Sequence, residues 1–443
     1  MNLTFASIAD DDTGASDIAG MLASQRMRTL VILDSATSQE IQQWAQDADA
    51  LVFAIASRAL PPQEAYRKSR EACQLILPLK PRTVAVKYCS TFDSTPEGNI
   101  GPSIDAAMDA LGQPFTVAVP ALPINGRTTY VGHHFVGTQL LSESSMRNHP
   151  LNPMTNSNLV SHLQSQTGRK VGLAAHPAVR SGALSLRHEL KALQESGVEI
   201  AVIDCICDSD LEVISEVIAD MPLITGSSGY AVTLAAAWRR RGFWSEGQQS
   251  RSITSADTRV GTLIISGSCS EATRVQSKYF EHTGVHSYVL EGTELASEVF
   301  DRTNLVAEAV ALLKSGKDVF IRTNAKSVHA VHQWALAQGS NPISVGMKIS
   351  AGLGAIARDI VSHVLPQGIV VAGGETSGTI CRTIGIKALR IGRNIVPGVP
   401  LCASITTPIM PVVLKSGNFG GEDFFLQARE AIRSCPKPEE QPR

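Results

Sequence analysis

The chain has 443 residues, of which 43% are hydrophobic and 18% charged, with 39 Lys and Arg against 41 Asp and Glu for a net charge of -2. That length predicts two or three domains with sizeable cores, and that balance excludes a nucleic-acid footprint or a polybasic membrane surface. No apolar run reaches the roughly 18 residues of a membrane span. Met1–Phe5 enters a strand pattern without the basic start and apolar stretch of a secretory signal, so a cytoplasmic protein is expected. The eight cysteines are scattered, as buried free thiols would be. Cys205 and Cys207 form the one tight pair, and their spacing is wrong for a redox motif.

Short apolar runs alternate with longer amphipathic ones from the start. Leu3–Ala9 reads as a buried strand and Gly14–Ser24 as a helix. Strands follow at Thr29–Leu33, Ala50–Ala56, Thr83–Tyr88 and Phe115–Val119, with helices at Gln63–Leu77 and Ile100–Leu111. This alternation predicts βαβ units and a parallel sheet. Thr128–Leu141 breaks the rhythm, and its alternation around Gly132 and Gly137 predicts a hairpin at a sheet edge or over a cleft. The rhythm resumes through Lys170–Ala175, Glu199–Cys205, Asp210–Ala219, Leu223–Gly226 and Tyr230–Arg241. The polar stretch 243–258 reads as a linker, so the first domain is expected to span 1–242. A second α/β domain, 259–434, has strands at Val260–Ser266, His286–Leu290, Asp318–Arg322 and Gly368–Ala372, with long helices at Asn304–Leu313 and Val345–Ser362. Residues 435–443 read as a disordered tail. The fold class expected is α/β, two domains each with a mostly parallel sheet flanked by helices.

The chemistry-bearing residues sit where strands end, which is where open α/β sheets bind ligands. Asp10, Asp11 and Asp12 follow the first strand, ahead of Thr13-Gly14-Ala15-Ser16-Asp17. One of them is enough to cap the next helix; three consecutive carboxylates point to a general base or a cation site. Arg58 ends the third strand and Lys87 the fourth, placed to hold an anion. The loop containing Asp93, Ser94 and Thr95 precedes a helix and suits a polyhydroxylated anion, and the turn after the fifth strand adds Arg127. In the second domain, Gly373-Gly374-Glu375-Thr376-Ser377-Gly378 joins a strand to a helix in the manner of a phosphate cradle. Two similar turns carry Ser266 and Ser268, and Lys415, Gly417 and Asn418. Three such turns in one domain point to a nucleotide site. A dinucleotide-dependent dehydrogenase is disfavoured, because no strand runs into G-x-G-x-x-G. No zinc-ligand spacing is present, and His133-His134 reads as a satisfied or exposed pair.

Taken in order, Ala9–Asp17, Ser57-Arg58, Asp93–Thr95, Pro120–Thr128, Gly373–Gly378 and Lys415–Gly420 resemble the motifs of the four-carbon acid sugar kinase family, over residues 3–430. The runs Lys87–Gly101 and Met146–Thr155 are most similar to members that phosphorylate the 4-hydroxyl of a 3-oxo-tetronate; kinases of D-threonate or D-erythronate are the nearest alternative. The resemblance implies a sugar acid on the N-terminal domain, ATP with Mg²⁺ on the C-terminal one, and an active site in the inter-domain cleft. It implies that Arg58, Lys87, Asp93, Ser94, Thr95 and Arg127 hold the sugar acid, and that Asp11 or Asp10 handles the hydroxyl proton. Small-molecule substrates and a homodimer are the partners expected. Asp12, Ser145 and Asn148 depart from the family pattern, which bears on substrate preference rather than reaction type.

Overall fold

A computed structural model describes residues 3–33, 36–149, 152–247, 253, 259–297, 300–324, 328–337, 342–417 and 419–436. Most of the expected linker, most of the expected tail, and Asn418 lie outside them. The chain divides into two compact units, Met1–Leu30 with Thr37–Gln249, and Val31–Ala36 with Ser250–Arg443. The excursion Val31–Ala36 leaves the first unit for the second, so the division is not a single cut in the sequence.

The first strands are β1 (Phe5–Ala9), β2 (Thr29–Leu33), whose residues from Val31 on belong to the second unit, β3 (Ala50–Ala54), β4 (Thr83–Lys87) and β5 (Thr116–Val119). After β6 (Arg127–Tyr130), β7 (His133–Val136) and β8 (Gln139–Leu140) come β9 (Val171–Ala174), β10 (Ile200–Ile203) and β11 (Leu223–Gly226). The central order is β3-β1-β4-β11-β5-β10-β9, all parallel. Both faces of β1 are buried, as its uninterrupted Phe-Ala-Ser-Ile-Ala requires. Helices cross between strands, so the carboxyl ends of β1, β3, β4, β11 and β5 lie together on one edge.

The expected hairpin forms, but as a separate three-stranded sheet, β6-β7-β8, rather than an edge of the main one. Tyr130 pairs with His133 across a two-residue turn in which Val131 and Gly132 both have positive φ, 49° and 72°. This is the turn whose twist matches a hairpin, and the left-handed region suits glycine far better than valine. Asp204 offsets the strain by accepting the N–H groups of Val131 and Gly132 at 2.7 and 2.9 Å.

The second unit holds β12 (Leu263–Ser266), β13 (His286–Leu290), β14 (Val319–Thr323), β15 (Ile369–Ala372), β16 (Ala388–Val396), β17 (Val399–Ser404) and β18 (Pro411–Lys415). Its order is β13-β14-β12-β15-β18-β17-β16, parallel up to β18 and antiparallel from there. Its core gathers Phe280, Phe320, Phe424 and Phe425, with Phe280 edge-on to Phe320 at 5.6 Å. Among the described residues no helix is long and apolar enough to cross a membrane.

Candidate functional site

The turn after β1 is organised by Arg58. Its Nε donates to Asp10 Oδ2 and one Nη to Asp10 Oδ1, both at 2.8 Å, and that same Nη reaches Asp11 Oδ1 at 2.8 Å. The sequence expectation of Arg58 as a carboxylate grip is met first by the protein's own carboxylates, leaving the other Nη without a partner among the described residues. Burial works against the guanidinium's charge, but Asp10 and Asp11 raise it well above its ordinary range. Burial raises Asp10 above the usual carboxylate range although Arg58 pulls it down. Asp11 is also desolvated, yet Arg58, Lys87, Thr13 and Gly14 bring it below that range.

Asp11 is in addition the N-cap of the helix Asp12–Ser24. Oδ1 accepts Gly14 N–H at 2.9 Å, and Oδ2 accepts the Thr13 hydroxyl at 2.7 Å. Both oxygens of Asp10 and of Asp11 are therefore engaged within the protein. Asp17, one turn beyond Gly14, is not. Its Oδ2 accepts the Ser228 hydroxyl, while Oδ1 is buried with no partner, and burial raises the carboxyl. The sequence reading quoted Asp17 within the motif but gave it no role, and passed over Ser228. The signal available was Gly226-Ser227-Ser228-Gly229, a glycine and serine turn at the end of β11 like those noted in the second domain.

Lys87, at the end of β4, is 3% exposed, and its ammonium makes no hydrogen bond or ion pair among the described residues. A Cβ added to Gly14 would lie 2.5 Å from its Nζ and 2.2 Å from Asp11 Oδ1. Glycine here lets the ammonium sit over the first turn of the helix, within electrostatic reach of Asp10, Asp11 and Asp17. Two non-glycine residues with positive φ flank this edge, Ala56 after β3 at 49° and Phe92 after β4 at 54°. Backbone strain of this kind collects where loops are shaped for a ligand.

The loop after β4 only partly matches expectation. Ser94 is fully buried, and its hydroxyl accepts Asn99 N–H at 3.0 Å, just ahead of the next helix. Asp93 is buried and accepts the Thr91 hydroxyl at 2.8 Å. Thr95 is half-buried, and its carbonyl takes Gly98 N–H and the Gln166 amide. Asn99 also donates to the carbonyls of Ser57 and Arg58, tying the β3 and β4 loops together. Arg127 donates to the Asn125 carbonyl, and its Nε is buried without a partner. His134 is buried between the Thr129 hydroxyl and the Ser90 carbonyl, and burial pushes it down to about 4, so it is neutral at pH 7. His133 is exposed.

In the second unit the three glycine and hydroxyl turns meet. Gly373, at φ 130°, donates to the Lys415 carbonyl at 2.8 Å, and a Cβ there would lie 3.3 Å from Ser268 N. A Cβ on Gly417 would lie 2.9 Å from Ser268 Oγ. Ser377 is buried and donates to the Gly373 carbonyl at 2.7 Å, while Thr376 packs against Ser350. Ser266 and Gly378 are buried. Gly374 begins the helix Gly374–Thr383, with Glu375 exposed in its first turn. Among the described residues no three His, Cys, Asp or Glu side chains gather into a metal cage. Mg²⁺ is ordinarily held by one or two carboxylates and substrate phosphates, and Glu375 at the cradle is a donor of the right kind. Gly373 stands at φ 130°, which an L side chain rarely adopts, and a Cβ there would meet Thr376 Oγ1 at 3.1 Å, so Gly373→Ala is expected to abolish measurable ATP binding by calorimetry while sugar-acid binding persists. Unchanged ATP affinity would remove this turn from the nucleotide site.

Comparison with known proteins follows the same division. Residues 5–234 match the family described as sugar-binding N-terminal domain, and residues 263–425 the nucleotide-binding C-terminal domain. The chain is 41% identical over 427 residues to a 3-oxo-tetronate kinase of Burkholderia multivorans, covering 96% of each. It is 37% identical over 429 residues to one of Salmonella typhimurium, covering 96% of this chain and 98% of the relative. Among solved structures, a Salmonella typhimurium protein described as a tRNA synthase superposes with a TM-score of 0.82 at 33% identity, over 97% of this chain and 99% of that one. A Haemophilus influenzae protein superposes with a TM-score of 0.75 at 33% identity, over 96% and 100%.

Proposed function

We propose, on the premise that this chain belongs to the four-carbon acid sugar kinase family, that it transfers the γ-phosphoryl group of ATP to the 4-hydroxyl of a 3-oxo-tetronate. The observation that carries the sugar-acid side is Lys87, a residue only 3% exposed whose ammonium has no hydrogen-bond acceptor among the described residues, beside carboxylates at a strand end. Burying a charge without a partner is costly, and a bound anion or polyol oxygen supplies the missing acceptor.

The strand order β4-β11-β5 puts two strand spacings, about 10 Å, between the end of β4 and that of β5. A four-carbon acid bridges that gap with a hydrogen bond at each end. We assign its carboxylate to the β5 side, at Arg127, and its 4-hydroxyl to the β4 side, at Lys87 and the unpartnered Nη of Arg58. Asp93 and Thr95 line the loop between. Asp10 and Asp11 set the guanidinium and the helix. The remaining acceptor, Asp17, receives the hydroxyl proton, in preference to the Asp11 or Asp10 of the sequence reading. The loose transition state of phosphoryl transfer asks for positioning and charge stabilisation more than for strong base chemistry. Mg²⁺, when bound with ATP, neutralises phosphate charge. Ser268 and the first-turn amides of Gly374, Glu375 and Thr376 hold the phosphates. An ATP-consuming enzyme of this kind works in the cytoplasm, and a homodimer is checked by light scattering.

ATP consumption over a panel of four-carbon acids tests the reading. Turnover with 3-oxo-tetronates well above that with D-threonate or D-erythronate is expected; preference for either of the latter would move the chain to the sister activity. Lys87→Met is expected to raise KM for the sugar acid roughly 30-fold or more, as losing one partner of a buried charged contact does, with KM for ATP unchanged. A parallel rise in both constants would make Lys87 a structural lysine.

A further inference from the structure

Lys415 ends β18 at the meeting point of the glycine turns, where a lysine invites the role of phosphate ligand. Its surroundings argue otherwise. The side chain is fully buried. Its Nζ donates to Thr273 Oγ1 at 3.1 Å and to the carbonyls of Ser416 and Gly417, both at 2.9 Å. An ammonium has three donors, and all three are spent inside the protein.

The helix Glu271–Glu281 completes the arrangement. Ser270, its N-cap, and Thr273 both donate to the Gly417 carbonyl, at 2.6 and 2.9 Å. One turn on, Gln276 Nε2 lies 2.9, 2.9 and 3.0 Å from the carbonyls of Phe419, Gly420 and Gly421. The carbonyls of Ser416, Gly417 and Phe419–Gly421 are thus all drawn toward one lysine and one helix face. The N–H groups of Gly417, Gly420 and Gly421 have no acceptor among the described residues. Amides left free in this way are available to an anion.

We propose that Lys415 is a positioning residue for the nucleotide: it holds these carbonyls inward so that the free amides meet the phosphates, and it does not touch the phosphates itself. The proposal rests on the reading of this unit as nucleotide-binding. Burial pushes the ammonium down to about 7. The three acceptors facing Nζ work against that burial, since only the charged form supplies three donors.

The test compares the wild-type chain with K415M and K415R. In K415M without nucleotide, hydrogen exchange over the peptide 410–424 is expected to accelerate, and KM for ATP to rise roughly 10-fold or more, as loss of charged hydrogen bonds implies. The sugar-acid KM stays unchanged. K415R does not rescue, because a guanidinium cannot fit a cage cut for an ammonium. A direct phosphate ligand behaves differently: exchange without nucleotide stays at the wild-type rate, and arginine restores ATP affinity. Either result overturns the proposal, as does an unchanged KM for ATP in K415M. If K415M does not fold, T273A takes its place. It removes one donor from Gly417 and one acceptor from Lys415, so exchange and KM should move in the same direction by less; no movement in either overturns the proposal. Failure of ATP to bind the wild-type chain in calorimetry would overturn the nucleotide reading itself, whereas ATP binding with an indifferent K415M overturns only the role of Lys415.

Discussion

Asp17→Asn is expected to lower kcat by about 10²–10⁴-fold, the usual cost of losing a general base, with both KM values nearly unchanged. The amide keeps the shape and still accepts from Ser228, so packing is preserved while the proton acceptor is removed. Asp17 is the carboxyl at this turn with an oxygen unfilled, and burial has already raised it. Its catalytic form is the ionised one, so activity falls as pH drops through its raised value. The acid limb of kcat therefore lies above the ordinary carboxylate range in the wild type and is absent in the variant. Asp11→Asn is the control. Asparagine is as good an N-cap as aspartate, so that change is expected to cost little turnover. A large kcat loss for Asp11→Asn with near-normal turnover for Asp17→Asn would return the base to the cap residue.

Why the sequence pointed at the right turn but not at this residue is a matter of what spacing encodes. Alternating apolar runs reveal the parallel sheet, because a strand buried on both faces has to be apolar throughout. Knowing the strands locates their carboxyl ends, and Asp10, Asp11, Arg58 and Lys87 fall there together. Which oxygen is already occupied depends on contacts across large gaps in sequence. Asp10 is engaged by a residue 48 positions away, and the partner of Asp17 is 211 away. Ser94 illustrates the same limit: the spacing of a hydroxyl ahead of a helix does not show that it is buried and bonded to Asn99 N–H. Lys415 reads as a cation at a phosphate turn until the polar face of the helix Glu271–Glu281 is seen to surround it. The antiparallel pair β16 and β17 went unread although Pro397-Gly398, with Gly398 at φ 78°, joins the two strands as a two-residue turn.

Arg58→Ala is expected to destabilise the chain by about 3–5 kcal/mol near pH 7, the cost of leaving a buried charge without its partner. Three hydrogen bonds to two carboxylates disappear at once. Asp10, already raised by burial, then loses the interaction that opposes it and rises further. A carboxyl raised in the folded state contributes stability that is complete below its unfolded value, 3.8, and is lost as pH climbs through the folded value. Asp11 adds to the same trend. Its carboxyl is depressed in the wild type, so its contribution is present above 3.8 and disappears as pH falls; without Arg58 much of that contribution is gone at every pH. Both effects make the deficit of the variant largest at neutral pH and smaller toward pH 4. Urea melts at pH 7.5 and pH 5 read this directly. Asp10→Asn placed on Arg58→Ala should recover part of the loss at pH 7.5, since the amide carries no charge to strand. A deficit below about 1 kcal/mol at pH 7.5, the range of solvent-exposed pairs, would mean that water reaches Asp10 freely. Arg58 would then be available to the sugar acid by its whole guanidinium rather than by a single Nη.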